Sequence, residues 1–296
     1  MNTILTDRGF AVTGVCDVLH ARVDGSPRRP VVRPSCLTYG LLDTPPDRVH
    51  RVECDSIRIV SWNCQGGFRN KWRRVVGFEP DILVVPECEP LDLLDAPVLF
   101  DPFPMEQSLR FARDASPKGL AVFATNDWRL AVHGAYDERF DYVVPVIASR
   151  GGQSITLVAV WAMPSPGSGD YPERLHQAVS HYAGLLREPV VMIGDFNSNT
   201  GFDADHRLGS HSDLVARLAA GGVVSVYHER TGEAQGGETQ PTFFINRNLA
   251  KPYHLDYCFV SESLYGAVAG FNIGSPDDWL DVSDHLPLAV TFALSR

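Results

Sequence analysis

Short apolar segments recur along the chain from Ile57 onward, and their pattern predicts β-strands. Each segment is four to nine residues long, rich in Val, Ile or Phe, and bounded by Gly, Pro, Asn or Asp. Several are apolar at consecutive positions, which is typical of strands covered on both faces. The predicted strands read, in order, IRIVSWNC, DILVVPEC, GLAVFAT, YVVPVIA, SITLVAVWA, VVMIGD, TFFI, LDYCFVS and LAVTFAL.

Helical spacing of apolar residues is found in three stretches between the predicted strands. The first stretch runs from Arg69 to Gly77, directly after a Gly-Gly pair, and the second from Pro172 to Arg187. The third runs from Ser210 to Ala220 and opens with a residue type that caps helices well. Many strands with few helices predict two packed β-sheets flanked by helices.

The first 55 residues differ in texture from the rest of the 296-residue chain. They contain scattered prolines and arginines and few sustained apolar runs. We therefore expect residues 1–55 to form an N-terminal extension and residues 56–296 to form one main domain. Apolar pairs separated by prolines favour an extension that packs on the domain over a free arm. With 44% hydrophobic residues, the chain can bury a sizeable core, which excludes a disordered or fibrous protein.

The sequence predicts no membrane span and no secretion. The longest apolar runs have the length of strands, and Asp7 and Arg8 interrupt any apolar core of a signal peptide. Six cysteines form no CxxC pair, which favours buried, reduced thiols over a disulfide framework or a zinc site. We therefore expect a cytoplasmic protein.

The net charge of −10 limits the function classes that fit. Residues 1–55 hold seven basic and seven acidic side chains, which leaves 19 basic against 29 acidic in residues 56–296. A protein that holds nucleic acid mainly by neutralising phosphates leans the other way. An acidic enzyme can still act on polyanions when divalent cations screen its site.

Polar residues stand where the apolar segments end, and these carry the chemical signal. A carboxylate, carboxamide or imidazole at the end of a buried strand is well placed to build a site, because strand ends converge at one edge of a sheet. The residues concerned are Asn63, Glu87, Asp195, Asn197, His254, Asp256, Asp284 and His285. Each alone has an ordinary structural explanation, so only the set as a whole indicates a site.

The set resembles the endonuclease/exonuclease/phosphatase superfamily of divalent-metal phosphohydrolases. The blocks SWNCQGG, DILVVPECE, GDFNSN, HLDYCFVS and SDHLP occur in this order from Ile57 to the C-terminus. The resemblance implies an α+β fold, a four-layer α/β/β/α sandwich of two mixed β-sheets flanked by helices. It also implies that residues 56–296 are the catalytic domain, with an active site at one end of the sandwich.

Roles follow from the resemblance, motif by motif. Asn63, Glu87 and Asp284 match the residues around the metal, which would be Mg²⁺ or Mn²⁺, a hard cation that prefers oxygen ligands. Asp195 and Asn197 match the pair that positions and deprotonates the attacking water. His285 matches the neighbouring histidine and Asp256 the aspartate that orients it, fixing its tautomer and raising its basicity. Whether Asp195 or His285 is the general base stays open.

Two positions depart from the family pattern. Gln65 stands where family members often carry Asp or Asn, which removes a possible carboxylate ligand. Trp161 stands where relatives place Tyr or His, and its indole does not transfer a proton at neutral pH. Trp161 is expected to pack or to contact substrate.

Further substrate-binding candidates are basic or lie near the expected site. Arg69 and Lys71 belong to a cluster after the Asn63 loop that could grip phosphates or form a solvated helix face. Lys118 could touch phosphate, and His254 could face the site or cover a strand end.

Three functions are compatible with this sequence. The first is a Mg²⁺- or Mn²⁺-dependent hydrolase of phosphodiester bonds, an endonuclease or exonuclease acting on DNA or RNA. The second is a phosphatase or phosphodiesterase on a small-molecule or lipid-linked phosphate, which the acidic balance favours. The third is a non-catalytic interaction module, against which the complete set of polar residues counts. The predicted partner is accordingly nucleic acid or a phosphorylated small molecule.

Overall fold

The computed structural model describes two short segments near the N-terminus and most of the chain from residue 55 onward. The described ranges are 4–5, 11–12, 55–94, 103–104, 107–113, 116–125, 127–164, 171–205 and 209–294. By contacts the chain divides into two units, Met1–Glu53 and Cys54–Arg296. The two segments near the N-terminus are short strands that pair with each other. The expected packing of residues 1–55 on the domain lies outside the described residues.

Sixteen strands are present in the described ranges. They are β1 (Ile4–Leu5), β2 (Ala11–Val12), β3 (Ser56–Ser61), β4 (Ile82–Cys88), β5 (Ser108–Phe111), β6 (Gly119–Ala124), β7 (Arg129–Val132), β8 (Val143–Arg150), β9 (Gln153–Trp161), β10 (Val190–Asp195), β11 (Val223–Ser225), β12 (Phe243–Phe244), β13 (Pro252–Tyr253), β14 (Asp256–Ser261), β15 (Val268–Ile273) and β16 (Leu288–Ala293).

Six α-helices accompany the strands in the same part of the chain. They are α1 (Trp72–Val76), α2 (Tyr171–His181), α3 (His211–Ala220), α4 (Val226–Thr231), α5 (Glu262–Tyr265) and α6 (Pro276–Trp279). None of the described helices is long and apolar enough to cross a membrane.

The large strands form two mixed six-stranded sheets. Sheet I has the order β15-β16-β3-β4-β6-β5, and sheet II has the order β11-β14-β10-β9-β8-β7. Each sheet contains one parallel pair, β3 with β4 and β10 with β9, among antiparallel neighbours. The predicted α+β sandwich of two mixed sheets flanked by helices is therefore confirmed.

The central strands are apolar at consecutive positions because they separate two cores. In β10, Val191 and Ile193 point into the core between the sheets, while Val190 and Met192 point into the core under α2 and α3. Strand β4 divides its residues in the same way between the central core and the core that contains Trp72 of α1 and Trp279 of α6. This is the period of two that alternating side chains impose on a strand. Full burial of each large apolar side chain stabilises the fold by about 1.5–3 kcal/mol.

The strands absent from the sequence prediction lie mainly at the sheet edges. Strands β5, β7, β11 and β15 are the four edge strands of the two large sheets. Side chains of β5, β7 and β15 are half-buried or exposed along their whole length. An edge strand buries less surface, so it lacks the apolar run on which the prediction depended. The predicted strand TFFI contracts to the two residues of β12.

The predicted helices exist with shorter bounds. The stretch from Arg69 to Gly77 is a 3₁₀ turn at Phe68–Asn70 followed by α1, and α2 ends at His181 before a second 3₁₀ turn at Leu185–Arg187. Helix α3 begins as predicted, because Ser210 and Asp213 form a capping box. The short helices α4, α5 and α6 were not predicted, since four to six residues are too few to show a helical period.

Candidate active site

Five strands bring the polar residues to one edge of the sandwich. Strands β3, β4 and β10 end there, and the antiparallel strands β14 and β16 begin there. In the register of sheet II, Asp195 is the direct partner of Asp256. A backbone bridge between Phe243 and His285 adds the segment before β16 to the same edge. Residues far apart in the sequence therefore converge at one place.

His285 lies between two buried aspartates. Its Nδ1 atom is 2.8 Å from Oδ2 of Asp256, and its Nε2 atom is 3.9 Å from Oδ2 of Asp195. Its backbone N–H donates to Oγ of Ser283, whose hydroxyl donates to the carbonyl of Asn63. The bond to Asp256 orients the imidazole so that Nε2 faces Asp195.

Two carboxamides fix the carboxylate of Asp195. Nδ2 of Asn63 donates to Oδ2 of Asp195 at 2.9 Å, and Nδ2 of Asn197 donates to the same oxygen at 3.0 Å. The backbone N–H of Asn197 donates to Oδ1 at 2.9 Å, and Nδ2 of Asn197 also donates to the carbonyl of Ala162. Asn197 adopts a left-handed conformation with φ of 47° to make these bonds.

Burial and mutual charge set the protonation of this group. Burial raises the pKa of Asp195 to about 7, although the nearby His285 and the bonds from Asn63 and Asn197 oppose the rise. For His285, burial by itself lowers the pKa, but Asp256 and Asp195 outweigh it and raise the pKa to about 10. Near neutral pH the imidazole is therefore protonated and Asp195 titrates. Asp195 is then the better candidate for a base, and His285 for a positive charge beside it.

A second cluster of polar side chains is connected to Asp195 through Asn63. Nδ2 of Asn63 reaches Oε1 of Glu87 at 3.4 Å, and Nε2 of Gln65 donates to Oδ2 of Asp284 at 2.8 Å. Burial raises the pKa of Asp284, and the Glu87 carboxylate adds to the rise. Two carboxylates that repel each other in a half-buried site favour a bound cation.

The donor set fits a hard divalent cation. Nζ of Lys118 forms an ion pair with Oε2 of Glu87 at 2.5 Å, so this carboxylate already binds a cationic group. Glu87 and Asp284 offer the carboxylate oxygens that Mg²⁺ or Mn²⁺ prefers, whereas Asn63 turns its amide group toward Glu87 and its oxygen toward the backbone N–H of Gln65. Asp195, Asp256 and His285 also place ligand atoms within 4.8 Å of one another. In this group both ring nitrogens of His285 already face carboxylates, Nδ1 that of Asp256 and Nε2 that of Asp195.

The remaining predicted site residues lie at different depths. Arg69 forms an ion pair with the buried Glu89 at 3.3 Å, and Nζ of Lys71 donates to the carbonyl of Cys64. Both side chains thus contact the loop after Asn63 and its neighbours. Trp161 is buried against the ring of Tyr142, with ring centroids 4.7 Å apart, and therefore packs as a core residue.

His254 belongs to a separate buried cluster. Its Nδ1 atom is 2.7 Å from the carbonyl of Gln240, and its ring lies against Tyr227 and Tyr257. Of the two interpretations of His254 that the sequence allows, the structure supports the covering of a strand end.

Two residues that contact the predicted site residues were not predicted from the sequence. The carboxylate of Glu89 accepts the backbone N–H groups of Phe68 and Arg69 at 2.6 and 3.0 Å and so holds the loop that carries Gln65. Arg247 donates to the carboxamide oxygen of Gln65. Glu89 could have been suspected from its place two residues after Glu87. Arg247 carries no such signal, because 182 residues separate it from Gln65.

Comparisons with known proteins agree with this geometry. A family model described as "Endonuclease/Exonuclease/phosphatase family" matches residues 60–285. The chain therefore belongs to the endonuclease/exonuclease/phosphatase family. A search of curated proteins finds no significant match.

Several solved structures share the fold. An AP endonuclease, LMAP, from Leishmania major superposes with a TM-score of 0.62 at 16% identity, covering 81% of this chain and 88% of that one. An AP endonuclease from Archaeoglobus fulgidus gives 0.58 at 18% identity, covering 80% and 100%. The endonuclease domain of TRAS1, a telomere-specific non-LTR retrotransposon, gives 0.57 at 14% identity, covering 82% and 100%. At these identities the structures establish the fold, and the family membership supports a phosphohydrolase.

Proposed function

We propose that this protein is a Mg²⁺- or Mn²⁺-dependent hydrolase that cleaves phosphodiester bonds in DNA or RNA. The observation that carries the proposal is the series of contacts from Asp256 through His285 to Asp195, with Glu87 and Asp284 beside it. A nucleic acid substrate agrees with three of the structural neighbours, which are described as endonucleases, and with a fourth, described as a 3' phosphatase bound to product DNA.

Each residue has a task that its contacts support. Asp195, fixed by Asn63 and Asn197, accepts the proton of the attacking water. The imidazolium of His285, held by Asp256, stabilises the negative charge that develops on the phosphate oxygens. Glu87 and Asp284 would hold the cation, with Asn63 beside them. The cation supplies charge neutralisation and polarisation of the phosphate when bound.

One observation favours a second candidate function. The excess of acidic residues in positions 56–296 disfavours a long polyanion as substrate. A phosphatase or phosphodiesterase on a small-molecule or lipid-linked phosphate would use the same site chemistry. The two candidates therefore differ in substrate and not in mechanism.

A substrate panel tests the proposal and separates the two candidates. Purified protein with Mg²⁺ or Mn²⁺ is offered plasmid DNA, single strands, an abasic duplex, RNA, nucleotides and inositol phosphates. We expect hydrolysis of at least one nucleic acid, and we expect His285→Ala to lower its rate by about 10²–10⁴-fold. Cleavage of nucleotides or inositol phosphates alone would favour the second candidate.

Metal dependence is tested on the same protein. Exhaustive chelation should abolish hydrolysis, and Mg²⁺ or Mn²⁺ should restore it; full activity after chelation would contradict the mechanism. Glu87→Gln should weaken binding of Mn²⁺ strongly in calorimetric titration, because a carboxylate ligand becomes a neutral amide. Glu79→Gln is the matched control, since Glu79 is also left-handed but its side chain is 85% exposed and faces Arg58.

A further inference from the structure

Arg247 connects three segments of the chain beside the cation-binding residues. Its Nε and Nη2 atoms donate to Oε1 of Gln65 at 3.1 and 2.5 Å. Nη1 donates to the carbonyl of Asp281 at 2.8 Å, and Nη2 also donates to the carbonyl of Val282 at 3.2 Å. Every oxygen in these contacts is a neutral amide or carbonyl oxygen, so these contacts hold the segment that leads to Asp284 without pairing the guanidinium with a carboxylate.

Gln65 connects Arg247 to the residues of the site by hydrogen bonds. Its Nε2 group donates to Oδ2 of Asp284, and its backbone N–H donates to Oδ1 of Asn63 at 3.0 Å. Asn63 in turn donates to Glu87 and Asp195. A contiguous set of hydrogen bonds thus runs from Arg247 to both acidic residues assigned to the cation. A carboxamide makes this possible, because its oxygen faces Arg247 while its amide group faces Asp284.

The backbone is strained where these contacts are made. Gln65, Asn246 and Arg247 all have positive φ, of 54°, 54° and 57°. Such conformations cost about 1–3 kcal/mol each for non-glycine residues and persist where the surroundings hold them. Bonds within the turn hold the latter two, since Ile245 N–H donates to the carbonyl of Lys251 and Lys251 N–H to that of Asn248. Arg247 is therefore presented to Gln65 by a fixed turn.

We propose that Arg247 is a positioning residue for the cation: through Gln65 it fixes the orientation of the Asp284 carboxylate for the incoming Mg²⁺ or Mn²⁺. This inference rests on the proposed function. The inference also explains the glutamine that departs from the family pattern, because Gln65 would orient the metal ligand Asp284 without being a ligand itself.

Calorimetric titration with Mn²⁺ tests the proposal without reference to turnover. Arg247→Met should weaken Mn²⁺ binding by roughly 10–100-fold, the usual cost of removing a group that orients a metal ligand. Arg247→Lys should not restore affinity, because an ammonium does not reproduce the forked contact with Gln65 and two carbonyls. Lys251→Met is the matched control, an exposed basic residue of the same turn, and should bind Mn²⁺ like the wild type.

A double-mutant cycle tests the route through Gln65. In a Gln65→Met background, Arg247→Met should have little further effect on Mn²⁺ affinity, because the intermediary is already gone. Additive losses would overturn the route.

Kinetics separate this role from direct contact with substrate. For the substrate found in the panel, the positioning role predicts that Arg247→Met lowers kcat at subsaturating Mn²⁺ and leaves KM little changed. Unchanged Mn²⁺ affinity with a raised KM, restored by Arg247→Lys, would make Arg247 a phosphate contact and overturn the proposal. If Arg247→Met kept the Mn²⁺ affinity of the wild type and lowered only the melting temperature, Arg247 would be a structural residue and the proposal would be overturned. If the wild-type protein binds no Mn²⁺, the proposed function itself fails.

Discussion

At the scale of single residues, the site depends on buried groups whose charges hold one another in place. His285 and Asp256 are almost fully buried, and Asp195 is fully so. A buried charge is costly unless it is paired, so each member of the group depends on the others. This coupling makes substitutions here informative about mechanism.

His285→Ala is expected to lower the rate by about 10²–10⁴-fold, the usual scale for a positioned acid–base group. Asp256→Asn should cost less, because it misorients the imidazole without removing it. Steady-state kinetics of both variants measure the difference, with circular dichroism to show that they fold. Normal turnover by His285→Ala would contradict the assignment.

The pH dependence of kcat/KM follows from the two raised pKa values. The rate should rise with pH as Asp195, with its pKa of about 7, loses its proton, and fall as His285, with its pKa of about 10, loses its own. Asp256→Asn should move the alkaline fall to lower pH, since the Asp256 carboxylate raises the pKa of His285. A flat wild-type profile between about pH 6 and 9 would count against these roles.

At the scale of elements, the close approach of β9 and β10 decides where Asp195 lies. Gly194 has a φ of 151°, and a Cβ atom there would lie 1.8 Å from the carbonyl oxygen of Val160 in the neighbouring strand. The backbone therefore requires a glycine before Asp195. Left-handed conformations at Glu87 and Asn197 likewise aim their side chains at the site.

Gly194→Ala is expected to destabilise the protein by about 3 kcal/mol or more, because backbone must move in the centre of sheet II. Gly184→Ala is the matched control: Gly184 is in a right-handed conformation, and a Cβ there meets nothing within 4 Å. The free energy of unfolding of Gly184→Ala should equal that of the wild type or exceed it slightly. Chemical denaturation of the two variants compares them directly, and equal stability would refute the steric explanation.

At the scale of the whole molecule, both large sheets and every assigned site residue belong to the unit Cys54–Arg296. Residues 1–55 thus have no assigned part in the chemistry.

Removal of residues 1–50 should leave hydrolysis intact. If the segment packs on the domain, as its apolar pairs predict, the melting temperature should fall by about 2–4 °C for each 1 kcal/mol lost. Differential scanning calorimetry of the shortened chain measures this. An unchanged melting temperature would favour a free arm, and loss of all hydrolysis in a folded protein would show that part of the site lies in residues 1–50.

The central strands, the polar residues at their ends and the family can all be predicted from the amino-acid sequence. Periodicity and strand-end polarity are local properties, so the sequence alone identifies Asn63, Glu87, Asp195 and His285 as candidates. The ordered blocks around them imply the sandwich.

The edge strands, the short helices and the partners of each side chain follow only from the tertiary structure. Nothing local distinguishes Arg69, which pairs with Glu89, from Arg247, which reaches Gln65 across 182 residues. These contacts arise from the order in which strands pair, and local periodicity carries no information about that order. For the same reason, the burial that raises the pKa of Asp195 exists only once β10 lies between β9 and β14.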